Sequence, residues 1–481
     1  MSILDRLFKH ENTTMAKTTG FTKDDAAKML SVSPEALAAF EKAYQTQVLD
    51  KPVESDNLFD RNAAMAIASR TDQQAVCQDT ELQNRLESIK QAIINELLEQ
   101  TKVLVYDGQN LTTQEFKPAI SQAPVDLTEI TRLPKELQPQ LTGRYIQRDI
   151  DDETGLTLLQ NYRNYLTAKT PKEKAQWYNL FRQGLDILDL DPITYAILSR
   201  NQNSAGNWFP GLVNAVQKQD FFKVPATKIM KVPLPLLQLS RLEYQNLTRT
   251  TVNILDRFCF TAFDLDETQE YFIKTGTYSS KFEFRNAHIH EPKEVRELGE
   301  YLLFIQHQAS QMAAPLSTPS IYGISTTNEW LVRDYIPNSE NLPTIYKGLP
   351  LRTEYRIFVD LDRLTILSSN PYWDPDVMLK RFGHENDADS PHQIHDYTIY
   401  KSQADRLQKT YDANIGNLKA RLQPMLKDMG LTGQWSIDIM QDGQDFYIID
   451  MALAQNSAFN ETIPPHLRRI SSEDWLPRIN A

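Results

Sequence analysis

Two aspartates near the C-terminus, Asp438 and Asp450, offer the clearest starting point for chemistry. Gln434–Met440 alternates as a strand, with Ser436 and Asp438 on one face. Asp442-Gly443 supplies a turn, and Phe446–Met451 returns as a second strand carrying Asp450. Such a hairpin can set the two carboxylates side by side, which is costly unless a cation lies between them. Magnesium is the usual cation, because it takes one or two carboxylates and completes its shell with phosphate oxygens. The same spacing also fits a hairpin with two solvated edge aspartates.

Basic residues supply the second signal. Glu270–Lys274 reads as an apolar strand ending in a lysine, followed by Thr275-Gly276-Thr277-Tyr278-Ser279-Ser280-Lys281. A hydroxyl-rich loop with free amides and flanking lysines suits an anionic phosphate chain, though a plain hairpin turn has the same composition. It is not a Walker loop, since the Gly-Lys-Ser/Thr ending is missing. Arg333 interrupts the strand Trp330–Ile336, and Arg356 interrupts Glu354–Val359. A guanidinium on an apolar strand needs a partner: a bidentate phosphate or carboxylate, or a structural ion pair with a residue such as Glu354 or Asp334.

Positioning these groups requires an α+β half. Beyond Phe221 the sequence predicts strands over Glu270–Lys274, Lys281–Phe284, Trp330–Ile336, Glu354–Val359, Leu364–Ser368, Gln434–Met440 and Phe446–Met451. Helices fit Glu291–Met312 and Ser402–Met429. Residues 221–235 carry three X-Pro steps and read as a linker, so 221–481 is expected to fold as one unit and to bind its ligand without the N-terminal half. Residues 1–20 read as a mobile arm. Residues 21–220 read as largely helical, with an amphipathic helix through Leu82, Leu86, Ile89, Ile93 and Leu97 and a short apolar segment Lys102–Tyr106 ending in the turn pair Asp107-Gly108.

Composition bounds the rest. At 481 residues the chain is too long for one compact core, and 41% hydrophobic with 24% charged residues is ordinary for a globular protein. No run of about 20 apolar residues predicts a membrane span, and the N-terminus does not read as a secretory signal. Only Cys77 and Cys259 are present, so no disulfide framework is expected and a cytoplasmic setting fits. The net charge of −12 argues against nonspecific grip on nucleic acid.

The ordered series Phe272-Ile273-Lys274, Ser279-Ser280-Lys281, Leu331–Ile336, Glu354–Val359, Asp438 and Ile448-Ile449-Asp450 resembles the ATP-grasp superfamily over roughly residues 225–465. It is most similar to the branch containing the eukaryotic D123 proteins, assembly chaperones of a translation initiation factor, and to a related bacterial and phage clade proposed to act on RNA. The resemblance implies a two-lobe ATP-grasp fold in the C-terminal half. It implies ATP and magnesium as cofactors, with Lys274 at the adenine side and α-phosphate, and Ser279, Ser280 and Lys281 as a flexible lid over the phosphates. Arg333, Asp334, Tyr335 and Ile336 would form the hinge that holds adenine, Arg356 would sit on the transferred phosphate, and Asp438 and Asp450 would bind the metal. Where family members often carry an asparagine two positions after the second acid, this chain has Ala452, and Gln455 and Asn456 are the nearest substitutes. The implied activity is ligase-like or phosphoryl-transfer chemistry on an unidentified substrate, RNA or a protein among the candidates. The alternative is an ATP-binding assembly factor with slow or absent turnover. On either reading, removing Lys274 or Arg356 is expected to weaken ATP binding and leave the nucleotide-free protein's stability nearly unchanged.

Two further patterns carry less. Asp25–Ser33 with Leu37 resembles a helix-turn-helix signature within residues 21–48, but Lys23, Lys28 and Lys42 face five acids across 21–50, poor for DNA. His288 and His290, at strand spacing, and His384, His392 and His395 read as loop histidines rather than zinc ligands.

Overall fold

The computed structural model describes residues 80–117, 127–140, separate positions between 164 and 199, 201–241, 247–312, 327–382 and 391–469. The expected arm and helix-turn-helix module lie outside the described residues, as does most of the stretch expected as helices between 153 and 200. The described residues form an α+β structure around two sheets. Strands β1 (Lys102–Tyr106), β2 (Leu111–Glu115), β4 (Thr227–Lys231), β5 (Tyr271–Thr275), β6 (His288–Ile289) and β7 (Glu329–Asp334) form the first sheet, in spatial order β2-β1-β4-β7-β5-β6. Strands β3 (Phe222–Lys223), β10 (Glu354–Asp360), β11 (Thr365–Pro371), β12 (Gln434–Asp442) and β13 (Asp445–Leu453) form the second, ordered β11-β10-β12-β13-β3. A two-stranded ribbon, β8 (Thr344–Ile345) with β9 (Leu349–Pro350), completes the set.

Period-two alternation gives each sheet two faces. One face of the first sheet presents Val103, Met230, Ile273, Trp330 and Val332 to helices α1 (Thr80–Glu99), α5 (Arg249–Ala262) and α7 (Leu298–Met312). Helix α5 begins where the Thr248 hydroxyl accepts from the Thr251 amide, a cap worth about 1 kcal/mol. The first sheet's other face, with Tyr106, Ile229 and Leu331, shares a core with the apolar face of the second sheet, where Tyr355, Ile357, Ile437, Ile439 and Ile448 lie. Helix α3 (Ala205–Val216) fills that core with Trp208, Phe209 and Leu212. At Gly211 an added Cβ would lie 2.0 Å from the Met429 carbonyl oxygen, so only glycine permits the approach of α3 to that turn.

The boundary expected at residues 220/221 cuts this core, because α3 packs against strands of both sheets and β1 pairs with β4 in the register Val103↔Met230. The strand expected over Lys281–Phe284 is a 3-10 helix, Lys281–Asn286. The single helix expected over Glu291–Met312 is broken into α6 (Pro292–Arg296) and α7 at Glu297, whose backbone leaves the helical region. The helix expected from Ser402 to Met429 starts earlier and stops at Leu422, as α9 (Pro391–Leu422), before Pro424 turns the chain into a 3-10 segment. No described helix is long and apolar enough to cross a membrane.

Candidate functional site

The site grows from the β12–β13 hairpin. Gly443, at φ +58°, turns the chain between the paired residues Asp442 and Asp445. Ile437, Ile439, Ile448 and Met451 face the core, so Ser436, Asp438 and Asp450 face the opposite way. The register sets Asp438 directly across from Asp450, then shifts so that Ile439 pairs with Ile448. Ile449 is thus the extra residue of a β-bulge, which bends the strand and frees a backbone group from the ladder. The freed Ile449 carbonyl accepts from Arg333 Nη1 at 2.6 Å, and Arg333 Nε donates to Thr227 Oγ1 at 3.1 Å.

A third strand extends the row. β10 places Arg356 opposite Asp438, and the guanidinium grips both carboxylate oxygens, Nε to Oδ1 at 2.8 Å and Nη2 to Oδ2 at 2.6 Å. From the first sheet, Lys274 on β5 donates to Asp450 Oδ2 at 2.8 Å. Reading across, the order is arginine, aspartate, aspartate, lysine, with Arg333 beside the second aspartate. Arg333 and Arg356 are therefore each partnered, though not by Asp334 or Glu354. Burial works on the cations of the row. It pushes Arg333 down to about 10 and lowers Lys274, with Asp450 opposing in both cases. Arg356 is held above its usual value because Asp438 outweighs burial. Glu354, on the same face two residues before Arg356, has its carboxyl raised by burial against the pull of Lys281.

The loop after β5 differs from the expectation of a flexible lid. The Thr277 and Tyr278 amides donate to Thr275 Oγ1, the Gly276 amide to the Glu329 carbonyl, and the Lys281 amide to the Ser279 carbonyl. Ser280 is 1% exposed, and its hydroxyl donates to Gln308 on α7 at 2.8 Å. The loop's own hydroxyls and carbonyls thus satisfy amides expected to face phosphate. Lys281 sits with its ammonium 3.8 Å from the centroid of the Tyr372 ring.

The residues expected as a hinge follow β7. Asp334 is exposed, the Tyr335 amide donates to the Glu270 carbonyl at 3.0 Å, and the Ile336 carbonyl accepts from Arg352 Nη2 at 2.7 Å. Tyr335 stacks on His288 with centroids 3.8 Å apart, and His288 Nε2 pairs with Glu270 at 2.8 Å. Asn456 Oδ1 accepts from Asn203 Nδ2 at 3.2 Å, and Asn203 Oδ1 in turn accepts from the Leu453 amide.

Two facing carboxylates are hard oxygen donors in adjacent register, and that donor chemistry fits a magnesium ion which keeps waters or phosphate oxygens as its other ligands. No group of three or more His, Cys, Asp or Glu suited to a metal occurs among the described residues, so the described side chains do not form a closed cage. Sequence reasoning missed Tyr372, which contacts two cations, and Arg352, which joins Ile336 to Asp442 through Nε at 3.1 Å. Arg352 stands two residues before Glu354 in a stretch already singled out for its charges; Tyr372 carries no charge, and nothing in its local pattern marked it.

No protein-family model matches the chain, and no curated protein matches it. Among solved structures, the C-terminally truncated Cdc123 from Schizosaccharomyces pombe aligns with 55% of this chain and 88% of its own length, at 11% identity and a TM-score of 0.32. The likeness is weak.

Proposed function

We propose that the polar face of β10, β12 and β13, closed by Lys274 and Arg333, binds the phosphates of ATP together with magnesium, in the manner of an ATP-grasp protein. One observation carries the reading: Arg356, Asp438 and Asp450 stand in one cross-strand row, with Lys274 and Arg333 reaching it from the other sheet. With Lys281, four cations gather around two aspartates, while burial drives the third acid, Glu354, toward its neutral form. An excess of buried positive charge is stabilised by an anion, and a polyphosphate with a divalent ion matches both signs present.

Asp438 and Asp450 would hold the magnesium, which supplies charge neutralisation to the phosphates when bound. Arg356 would sit against the transferred phosphate, and Lys274 and Lys281 would neutralise the remaining oxygens. Arg333 to Ile336 would border the adenine; of the backbone groups there, the Tyr335 amide and the Ile336 carbonyl already have protein partners. Phosphoryl transfer, ligase-like chemistry included, is the activity such a site supports. A second reading, nucleotide binding that stabilises a shape for a protein partner, is favoured by both aspartates being paired with cations of the protein itself.

Calorimetric titration with ATP tests the site. Wild type should bind in magnesium, and Asp450→Asn should lose affinity much more in magnesium than in EDTA. Equal affinity of wild type and variant in magnesium would remove the metal assignment. A turnover assay with magnesium-ATP separates the two readings: ADP formation supports the enzyme, and tight binding without it supports the assembly role.

A further inference from the structure

Tyr372 has no role in the row just described, yet it touches two of its cations. The residue follows β11, and its amide donates to the Glu354 carbonyl at 3.0 Å, which fixes the ring beside the polar face of β10. Lys281 Nζ lies 3.8 Å from the ring centroid and Arg356 Cζ lies 5.5 Å from it. Both distances fall within the roughly 6 Å over which a ring face attracts a cation. Trp373 packs edge-on against Tyr372 at 5.0 Å, and the Trp373 indole donates to the Arg352 carbonyl, so the ring has little freedom to turn.

The two cations differ in what else they hold. Arg356 spends its fork on Asp438. Lys281 forms no ion pair with a carboxylate among the described residues; its contacts are with Tyr372, through the ring face and the hydroxyl. A lysine side chain with four rotatable bonds would otherwise sample many positions, at an entropic cost when it must be ordered for a ligand. Burial works against its charge, but Tyr372, Glu354 and Asp438 outweigh burial and lift Lys281 above the ordinary lysine range.

We infer that Tyr372 is a positioning residue: its ring face pre-orders the Lys281 ammonium beside Arg356, so that a phosphate-bearing ligand meets two aligned cations instead of one. The inference rests on the polyphosphate reading for its ligand, but the ring's hold on Lys281 is separately measurable. The Tyr372 hydroxyl also interacts with Lys281; the inference assigns the ordering to the ring face, which Phe keeps and Leu removes.

The test compares Tyr372→Phe with Tyr372→Leu in the full chain. In protein labelled with 13C-lysine, the Lys281 Cε–Hε signal, assigned by its loss in Lys281→Arg, should be shifted upfield by the ring in wild type and Tyr372→Phe. In Tyr372→Leu it should return to the position of exposed lysines. Magnesium-ATP affinity should stay within about threefold of wild type in Tyr372→Phe and fall about tenfold or more in Tyr372→Leu. In a Lys281→Ala background, the Leu change should cost less than it does in wild type. An unshifted Lys281 signal in wild type overturns the inference without reference to any ligand, and so does equal loss of affinity in the Phe and Leu variants. If Tyr372→Leu fails to fold, the wild-type and Tyr372→Phe spectra still decide. Failure of wild type to bind ATP while the Lys281 signal is shifted removes the polyphosphate reading and leaves the ring's hold on the lysine standing.

Discussion

Two cation–aspartate pairs meet at the centre of the molecule, and they are built differently. Arg356 and Asp438 are cross-strand neighbours within one sheet, joined by two hydrogen bonds, with both side chains 13% exposed. Lys274 and Asp450 come from different sheets and share one contact; the lysine side chain is 3% exposed and the aspartate 34%. Ladder hydrogen bonds hold the first pair in register whatever the ligand does. Contacts between the sheets hold the second, the Arg333–Ile449 hydrogen bond among them, and water reaches its acidic member. The first is the more firmly held of the two, and the second is the pair that a ligand at the proposed site would exchange more readily.

Arg356→Ala should have the largest effect on stability. It strands a buried carboxylate, and urea unfolding followed by tryptophan fluorescence should show a loss of about 3–5 kcal/mol. Arg356→Lys should recover only part of it, since an ammonium cannot reproduce the fork. The sequence-based expectation that removing Lys274 or Arg356 leaves the nucleotide-free protein nearly unchanged is therefore revised. Lys274→Met, by contrast, leaves an aspartate that water can reach, and the same measurement should show about 1–2 kcal/mol. Equal losses in the two variants would break the distinction between the pairs.

A third carboxylate sharpens the comparison by lacking an ion-pair partner among the described residues. Asp256 on α5 accepts from the Glu300 amide at 2.8 Å, and burial raises its carboxyl well above the ordinary range. The folded state therefore keeps its proton longer than the unfolded chain, and stability falls as pH rises above the ordinary carboxyl value. Asp256→Asn keeps the acceptor and removes the charge. It should stabilise by about 1 kcal/mol at pH 8, and the gain should vanish toward pH 4, as thermal melts at the two pH values would show. The smallest effect belongs to His288, paired with Glu270. Burial lowers its pKa below 6.5 although Glu270 opposes. The unfolded chain takes up the proton first, so stability should fall as pH drops below about 6.5, by roughly a few tenths of a kcal/mol for this partly exposed ring. His288→Gln should flatten that part of the profile.

The acidic strand was legible because alternation assigns Asp438 to one face once Trp435, Ile437 and Ile439 claim the other, whereas strict alternation would set Asp450 on the core face with Phe446 and Ile448. The bulge was not. Ile448 and Ile449 are identical neighbours, so composition cannot say which one faces the core and which one leaves the ladder. The loop at 275–281 misled for a chemical reason: hydroxyls that could serve a phosphate serve equally well to satisfy the loop's own amides, as Thr275 does. Helix α5 was missed although Val252, Leu255, Phe258, Cys259 and Ala262 recur at helical steps behind the Thr248 cap, because Thr250, Thr251, Val252 and Ile254 weaken its local propensity. The pairing of β1 with β4 and the place of α3 left no local mark, since both depend on partners distant in sequence.

That distance has a consequence for how the chain is made. Asn203, just before α3, accepts from the Leu453 amide 250 residues further on, and α3 shares a core with residues of β10, β12 and β13. During synthesis from the N-terminus, the core around α3 is therefore not complete until the final hairpin has left the ribosome. At the usual elongation rate of about 5–20 residues per second, that is a wait on the order of ten seconds or more with this core incomplete. The acidic hairpin is then the last described sheet element to arrive as well as the seat of the proposed chemistry, so a chain truncated before β13 lacks both Asp450 and part of that core.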